Sequence, residues 1–299
     1  MQVKACFHHN ANTSVTCRTK TVSIATLQNR MGAVVSRARR GRIQYRLEFI
    51  LADHFSLKLA ASHMLAPAVR HMAFERADGL PFAFIPGQFV QIHFHYDDGK
   101  PTKRSYSVAT VGAGDGTPVQ RLEIAVSYVD GGAATKLLGG LQEGESIDAS
   151  GPYGRFCLID ADQNKRYLLV GTGTGVTPYR AMLPQIKKLI AQRGCEFALV
   201  YGARNEGELL YGEEFEAFAN ATPGFSFHPC LSREPRAVSR PHDRRGHAQV
   251  ALAELQPDAT NDIAYLCGNP NMVDQAFELL KTAGLPIPQI RREKYVSSR

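Results

Sequence analysis

The sequence predicts β + α/β architecture: an N-terminal antiparallel β-barrel domain followed by a C-terminal α/β domain built on a parallel sheet. Three observations predict it. Between residues 55 and 160, short apolar or alternating runs recur between Gly- and Asp-containing turns, the signature of a small barrel. From residue 161 to 299 the rhythm changes to strand then helix, which requires parallel strands covered by helices. Residues 1–54 show neither rhythm and form a separate basic tail, read as disordered.

The barrel strands are expected at 56–61, 69–75, 89–95, 104–110 and 122–129. Turn residues separate them: Asp78-Gly79, Pro86-Gly87, Asp97-Asp98-Gly99 and the glycines between 112 and 116. One helical stretch, 134–141, interrupts the pattern. In the second half, strands are expected at 167–170, 196–201, 225–231, 263–267 and 290–296. Helical stretches are expected at 178–192, 213–221, 249–255 and 272–283.

Composition narrows the function classes. The chain has 299 residues and a net charge of +7, but residues 1–47 hold nine Lys/Arg and no acidic residue. The remaining 252 residues hold 26 basic and 28 acidic side chains, so the folded part is nearly neutral and makes no case for nucleic acid. The tail resembles an organelle transit peptide in composition and lacks the apolar core of a secretory signal. A later translation start or a disordered extension is the favoured reading, with a cytoplasmic location and organelle targeting left open. No run of 18 apolar residues exists to span a membrane. The six cysteines show neither C-x-x-C nor an iron–sulfur spacing, so they read as reduced thiols.

No metal site is expected. Asp160-Ala-Asp162-Gln-Asn164 opens like a calcium loop, but Lys165 stands where the sharp turn needs glycine. His93 and His95 alternate on a strand without ligating neighbours at zinc spacing. No serine has a G-x-S-x-G setting, which removes serine hydrolysis.

Several motifs carry chemistry. Gly171-Thr-Gly173-Thr174-Gly175-Val-Thr-Pro178 lies between a buried strand and a helix, where glycines let the backbone approach a pyrophosphate and free amides attract it. From Gly173 it reads G-x-G-x-x-P, without the third glycine of the dinucleotide fingerprint. Arg104-Ser-Tyr106-Ser107 sets a guanidinium beside an aromatic and a hydroxyl, groups suited to a phosphate and a flat ring. Gly131-Gly132-Ala-Ala-Thr135 opens the barrel's helix. Gly151-Pro-Tyr-Gly154, Leu231-Ser232-Arg233-Glu234, Leu266-Cys267-Gly268-Asn-Pro-Asn-Met272 and Arg292-Glu293-Lys-Tyr295 complete the set.

In this order and spacing, the motifs resemble the plant-type ferredoxin–NADP reductase family, in its bacterial ferredoxin/flavodoxin branch, over about residues 57–299. The resemblance implies FAD and NADP(H) as cofactors and hydride transfer between nicotinamide and flavin N5. It also implies one-electron exchange with ferredoxin or flavodoxin, an acidic carrier, and a monomeric enzyme. Arg104 would meet the FAD pyrophosphate, Tyr106 would stack on the isoalloxazine and Ser107 would lie near N5. Gly132 and Thr135 would complete the FAD pyrophosphate site. Gly173, Thr174, Gly175 and Pro178 would frame the NADP path, with Cys267 and Gly268 bordering the nicotinamide. Glu293 matches the family's site carboxylate and Tyr295 the aromatic covering the other flavin face. Ser232 and Arg233 match the clamp for the 2′-phosphate, with Arg240, Arg244 and Arg245 nearby.

Two departures stand out. Val296-Ser-Ser-Arg299 follows the stacking Tyr, and the Gly-Arg expected after the Ser-Arg motif reads Arg244-Arg-Gly-His247. Alternative readings are a reductase component of an oxygenase, a free-flavin reductase, or a flavin-binding redox sensor with little turnover. Arg76, Lys100, Lys103 and Arg155 are proposed as basic docking positions for the carrier.

Overall fold

The computed structural model describes residues 53–114 and 116–295. It also gives two short strands, β1 (Val15–Cys17) and β2 (Lys20–Val22), which pair antiparallel. That pair belongs to the unit Met1–Phe49, and everything below to Ile50–Arg299. The targeting reading of the tail falls mostly outside the described residues, as does the extension Val296–Arg299.

Alternating apolar side chains build the first sheet. Its strands are β3 (Asp53–Ala66), β4 (Val69–Arg76), β5 (Phe89–His95), β6 (Pro101–Ser107), β7 (Leu122–Ser127) and β8 (Ser146–Tyr153). They run antiparallel in the order β6-β5-β8-β3-β4-β7. Val108 bridges Ile124, so the two edges of the sheet meet and close a barrel. Leu57, Leu59, Phe74, Val90, Ile92 and Ile124 fill its interior. Helix α1 (Ala133–Gly140) seals one end through Leu138.

The second half forms a parallel sheet. Its elements are β9 (Arg166–Thr172), α2 (Thr177–Arg193), β10 (Glu196–Ala203), α3 (Gly212–Ala221), β11 (Phe225–Leu231), β12 (Arg244–Arg245), α4 (Ala248–Glu254), β13 (Asp262–Gly268), α5 (Pro270–Thr282) and β14 (Ile290–Lys294). The order is β12-β11-β10-β9-β13-β14. Because strand residues alternate faces, Tyr167, Leu169, Leu199 and Tyr265 join the core containing Tyr179, Ile186 and Phe215 of α2 and α3. Leu168, Val170, Val200 and Leu266 join the opposite core with α4 and α5. This double burial explains the near-continuous apolar strands.

A polar seam ties barrel to sheet. Arg180, in the first turn of α2, donates to the carbonyl of Ala109 (2.7 Å), to Glu123 of β7 (2.6 Å) and to Glu214 of α3 (2.7 Å). Its guanidinium also lies 4.6 Å from the ring centroid of Tyr211, whose hydroxyl is 2.9 Å from His71 of β4. Burial lowers the His71 pKa to about 4, so it sits there neutral.

All the expected elements are present with shifted ends, and the unexpected ones are β8, β12 and the β1–β2 pair in the tail. The run Ser146–Tyr153 carries Gly-Pro and small residues that read as a turn, yet it pairs with both β3 and β5. β12 is two residues long and has no periodicity to read. β3 runs 14 residues because it continues past the apolar run into a hairpin arm whose Leu65 and Ala66 pack against the α/β core. Among the described residues no helix is long and apolar enough to cross a membrane, and no group of three His, Cys, Asp or Glu side chains gathers as for a metal.

Candidate functional site

Strand order reverses between β9 and β13, and the loops at their carboxyl ends frame the crevice that such sheets offer to ligands. The chain packs very tightly there. A β-carbon on Gly175 would lie 2.4 Å from the carbonyl oxygen of Cys267, and one on Gly268 would lie 2.6 Å from that of Thr172. Gly268 also has φ +124, which side-chain-bearing residues rarely adopt. The short helical turn Gly173–Val176 leads into α2, with Pro178 in its first turn. Bare backbone at the mouth of the crevice is what close approach of a pyrophosphate requires.

Two cavities open on this crevice. The first, about 520 Å³, is lined by Arg104, Tyr106 and Ser107 of the barrel, by Gly132 to Thr135 at the start of α1, and by Thr174, Glu293 and Tyr295. The α1 N-terminus has no side-chain cap, which leaves its first amides available to an anion. Thr135 is used locally, its hydroxyl accepting from the amide of Val129 at 2.8 Å. Arg104 is held by Tyr96 (3.0 Å) and Thr102 (3.2 Å) beside the cavity. The second cavity, about 570 Å³, is lined by Thr172 to Thr174, Gly202 to Arg204, Glu208, Ser232, Gly268 and, again, Tyr295.

Tyr295 therefore stands in the wall of both cavities, and Ser107, Cys267 and Glu293 gather around it. Its hydroxyl is 2.5 Å from Ser107 Oγ, which lies 3.5 Å from Glu293 Oε1. The buried Cys267 thiol lies close by. Burial dominates the electrostatics. It pushes the Glu293 carboxyl up to about 7, partly opposed by the Ser107 hydrogen bond. It pushes the Cys267 thiol well up, reinforced by the nearby Glu293 charge, and Tyr295 likewise. Cys267 is thus held as a neutral thiol. The group can hold and pass one proton near neutral pH.

The sequence-chosen residues fall into three sets. Arg104, Tyr106, Ser107, Gly132, Thr135, Thr174, Glu293 and Tyr295 line the first cavity. Gly173, Thr174, Ser232, Gly268 and Tyr295 line the second. Cys267, Gly175 and Pro178 are buried just behind the walls. Arg233 and Arg245 are exposed and are not in the wall of either cavity. The cation that lines the second cavity is Arg204, next to Arg233 through an amide-to-carbonyl bond of 2.9 Å. Sequence reading missed Arg204 and its partner Glu208. The available signal was a charged residue just beyond the second strand of a nucleotide-binding sheet. Of the docking positions, Lys103 lines the first cavity, while Arg76 is bound to Asp53 and Asp78 and Lys100 to Asp98. Arg155 is exposed.

Residues 56–157 match the oxidoreductase FAD-binding domain family and residues 169–277 the oxidoreductase NAD-binding domain family. Ferredoxin–NADP reductase B of Sorangium cellulosum is 36% identical over 82% of this chain and 99% of that protein. The aromatic O-demethylase reductase subunit of Amycolatopsis is 33% identical, over 72% of this chain and 62% of its own. The propane 2-monooxygenase reductase component of Rhodococcus jostii is 31% identical, over 72% of this chain and 56% of its own. The chain thus spans less than two thirds of these two reductases. Among solved structures, the Amycolatopsis cytochrome P450 reductase superposes with a TM-score of 0.69 at 30% identity, over 87% of this chain and 73% of that one. A Neisseria gonorrhoeae ferredoxin–NADP+ reductase shares the fold with a TM-score of 0.67 at 21% identity, over 81% and 98%.

Proposed function

The chain belongs to the ferredoxin–NADP reductase family of oxidoreductases with FAD- and NAD-binding domains, and from that premise we propose that it moves electrons between NADPH and a ferredoxin or flavodoxin. The observation that carries the reading is Tyr295, shared by a barrel cavity and a sheet cavity and hydrogen-bonded to Ser107. When bound, FAD supplies the conversion between a two-electron nicotinamide couple and a one-electron carrier.

The residues do the rest. Gly132 and the free amides of α1 receive the FAD pyrophosphate, with Arg104 beside them. Gly173, Thr174 and Gly268 admit the dinucleotide pyrophosphate at the head of α2. Tyr295 covers the junction and excludes water until a nicotinamide ring takes its place, so that orientation contributes much of the rate. Ser107 holds the Tyr295 hydroxyl, and Glu293 holds a proton within reach of Ser107. At the far end, Ser232 and Arg204 offer the donors a 2′-phosphate needs, and Lys103 is a basic group at the flavin-side rim for an acidic carrier.

A second reading, a reductase component that feeds an oxygenase from NADH, draws on the similarity to such reductases at 31–33% identity. Anaerobic titration separates the two. Flavin that bleaches quickly with NADPH and slowly with NADH supports the proposal. Faster bleaching by NADH supports the oxygenase reading, and a protein that binds no flavin contradicts both.

A further inference from the structure

We infer that Glu208 weights the cofactor preference of this chain, by competing with a 2′-phosphate for the guanidinium of Arg204. The inference rests on the second cavity being the dinucleotide site and names the side chain that tunes its choice. Among the described residues lining that cavity, Arg204 carries the single full positive charge and Glu208 the single carboxylate. The two are joined by a fork: Nε donates to Oε2 at 2.7 Å and Nη2 lies 2.6 Å from Oε1. That planar, two-point geometry is the one a phosphate would claim.

The other groups suited to a phosphate are engaged or elsewhere. The Ser232 hydroxyl donates to the Ala203 carbonyl at 3.2 Å. Arg233 and Arg245 are exposed and do not line the cavity. Arg204 lies directly after β10, the second strand of the sheet, where this architecture places an adenosine ribose. There, a plain ribose needs an acceptor for its hydroxyl protons, and a carboxylate supplies it. A 2′-phosphate dianion instead needs Arg204 released from Glu208. Glu208 is the better anchored partner, its side chain 25% exposed against 56% for Arg204. Its carbonyl also accepts from the Tyr201 hydroxyl at 3.3 Å. An ion pair this exposed breaks at small cost, so Glu208 shifts the preference without excluding NADPH.

The test is calorimetric titration of the FAD-loaded protein with 2′,5′-ADP and with 5′-AMP, in the parent and in Glu208→Gln. We expect 2′,5′-ADP to tighten by about tenfold in the variant, with 5′-AMP unchanged or weaker. Glu208→Ala should behave likewise, and in an Arg204→Ala background the substitution should gain nothing. Where nicotinamides reduce the flavin, the NADPH-to-NADH ratio of kcat/KM should rise by the same factor. Unchanged 2′,5′-ADP affinity, or tightening that persists without Arg204, would overturn the inference. Because binding is read without turnover, a protein that no nicotinamide reduces would refute the proposed reaction and still leave this answer readable.

Discussion

Glu293 and Glu208 are both glutamates in the walls of ligand-sized cavities, and they occupy opposite physical regimes. Glu293 is enclosed with Ser107, Cys267 and Tyr295 where barrel and sheet meet, and desolvation pushes its carboxyl up to about 7. Glu208 is itself half-buried, but it has a guanidinium to satisfy its charge. The proposal gives the same side chain proton handling at one end of the crevice and charge recognition at the other. Solvent access and the choice of partner decide which. On the proposed reading, reaction chemistry belongs to the dry end and discrimination between cofactors to the wet one.

The strongest way to break this contrast is to remove the buried proton. Glu293→Gln should lower turnover by roughly 10²-fold and abolish the fall in activity as pH rises through about 7. The same variant reads out in stability. The raised value means that the folded chain holds this proton more tightly than the unfolded chain does. Its stabilising contribution is therefore full below about 4.5 and lost as pH rises to about 7. At pH 8, Glu293→Gln should melt about 2–4 °C higher than the parent, and at pH 4 the difference should vanish. An unchanged pH profile would place the titrating group elsewhere.

A second test opens the dry end without touching it. Arg180→Leu breaks the seam to Glu123 and Glu214 and leaves both carboxylates uncompensated. We expect a loss of roughly 2–4 kcal/mol in urea unfolding. Flavin reduction should also slow at saturating NADPH, because orientation across the junction loosens. Lost stability with an unchanged reduction rate would confine Arg180 to folding.

The smallest expected effect is at the wet end. Arg204→Ala should weaken NADPH about 10- to 100-fold through loss of a charge-assisted contact, and NADH by much less. Arg233→Ala should do less than Arg204→Ala, since Arg233 is not in the cavity wall. The reverse order, read from KM values, would restore Arg233 as the principal clamp.

How much of this was legible in the sequence follows the same division. Both folds were readable because they depend on local rules: strand alternation and glycines at a strand-to-helix turn. Ser107, Glu293 and Tyr295, far apart in sequence, were paired only through the family resemblance, and the structure brings them together. β8 was lost because its pairing with β3 and β5 overrides a turn-like composition. At the wet end, the motif Ser232-Arg233 places Ser232 in the cavity wall, while the cation in that wall is Arg204. The β10 and β11 ends abut, as the Arg233 amide bonded to the Arg204 carbonyl shows, and either guanidinium fits the motif logic. Side-chain direction at an exposed strand end is set by tertiary neighbours such as Glu208, which spacing alone does not reveal.

The most direct test of a dry junction shared by two cavities is stopped-flow flavin reduction and NADP+ titration in Tyr295→Ser, compared with the parent. With the ring gone, the nicotinamide meets the flavin without displacing a side chain, so NADP+ should bind at least tenfold tighter and perturb the flavin spectrum directly. Unchanged affinity together with an unchanged spectrum would mean that Tyr295 does not stand between the two cofactors.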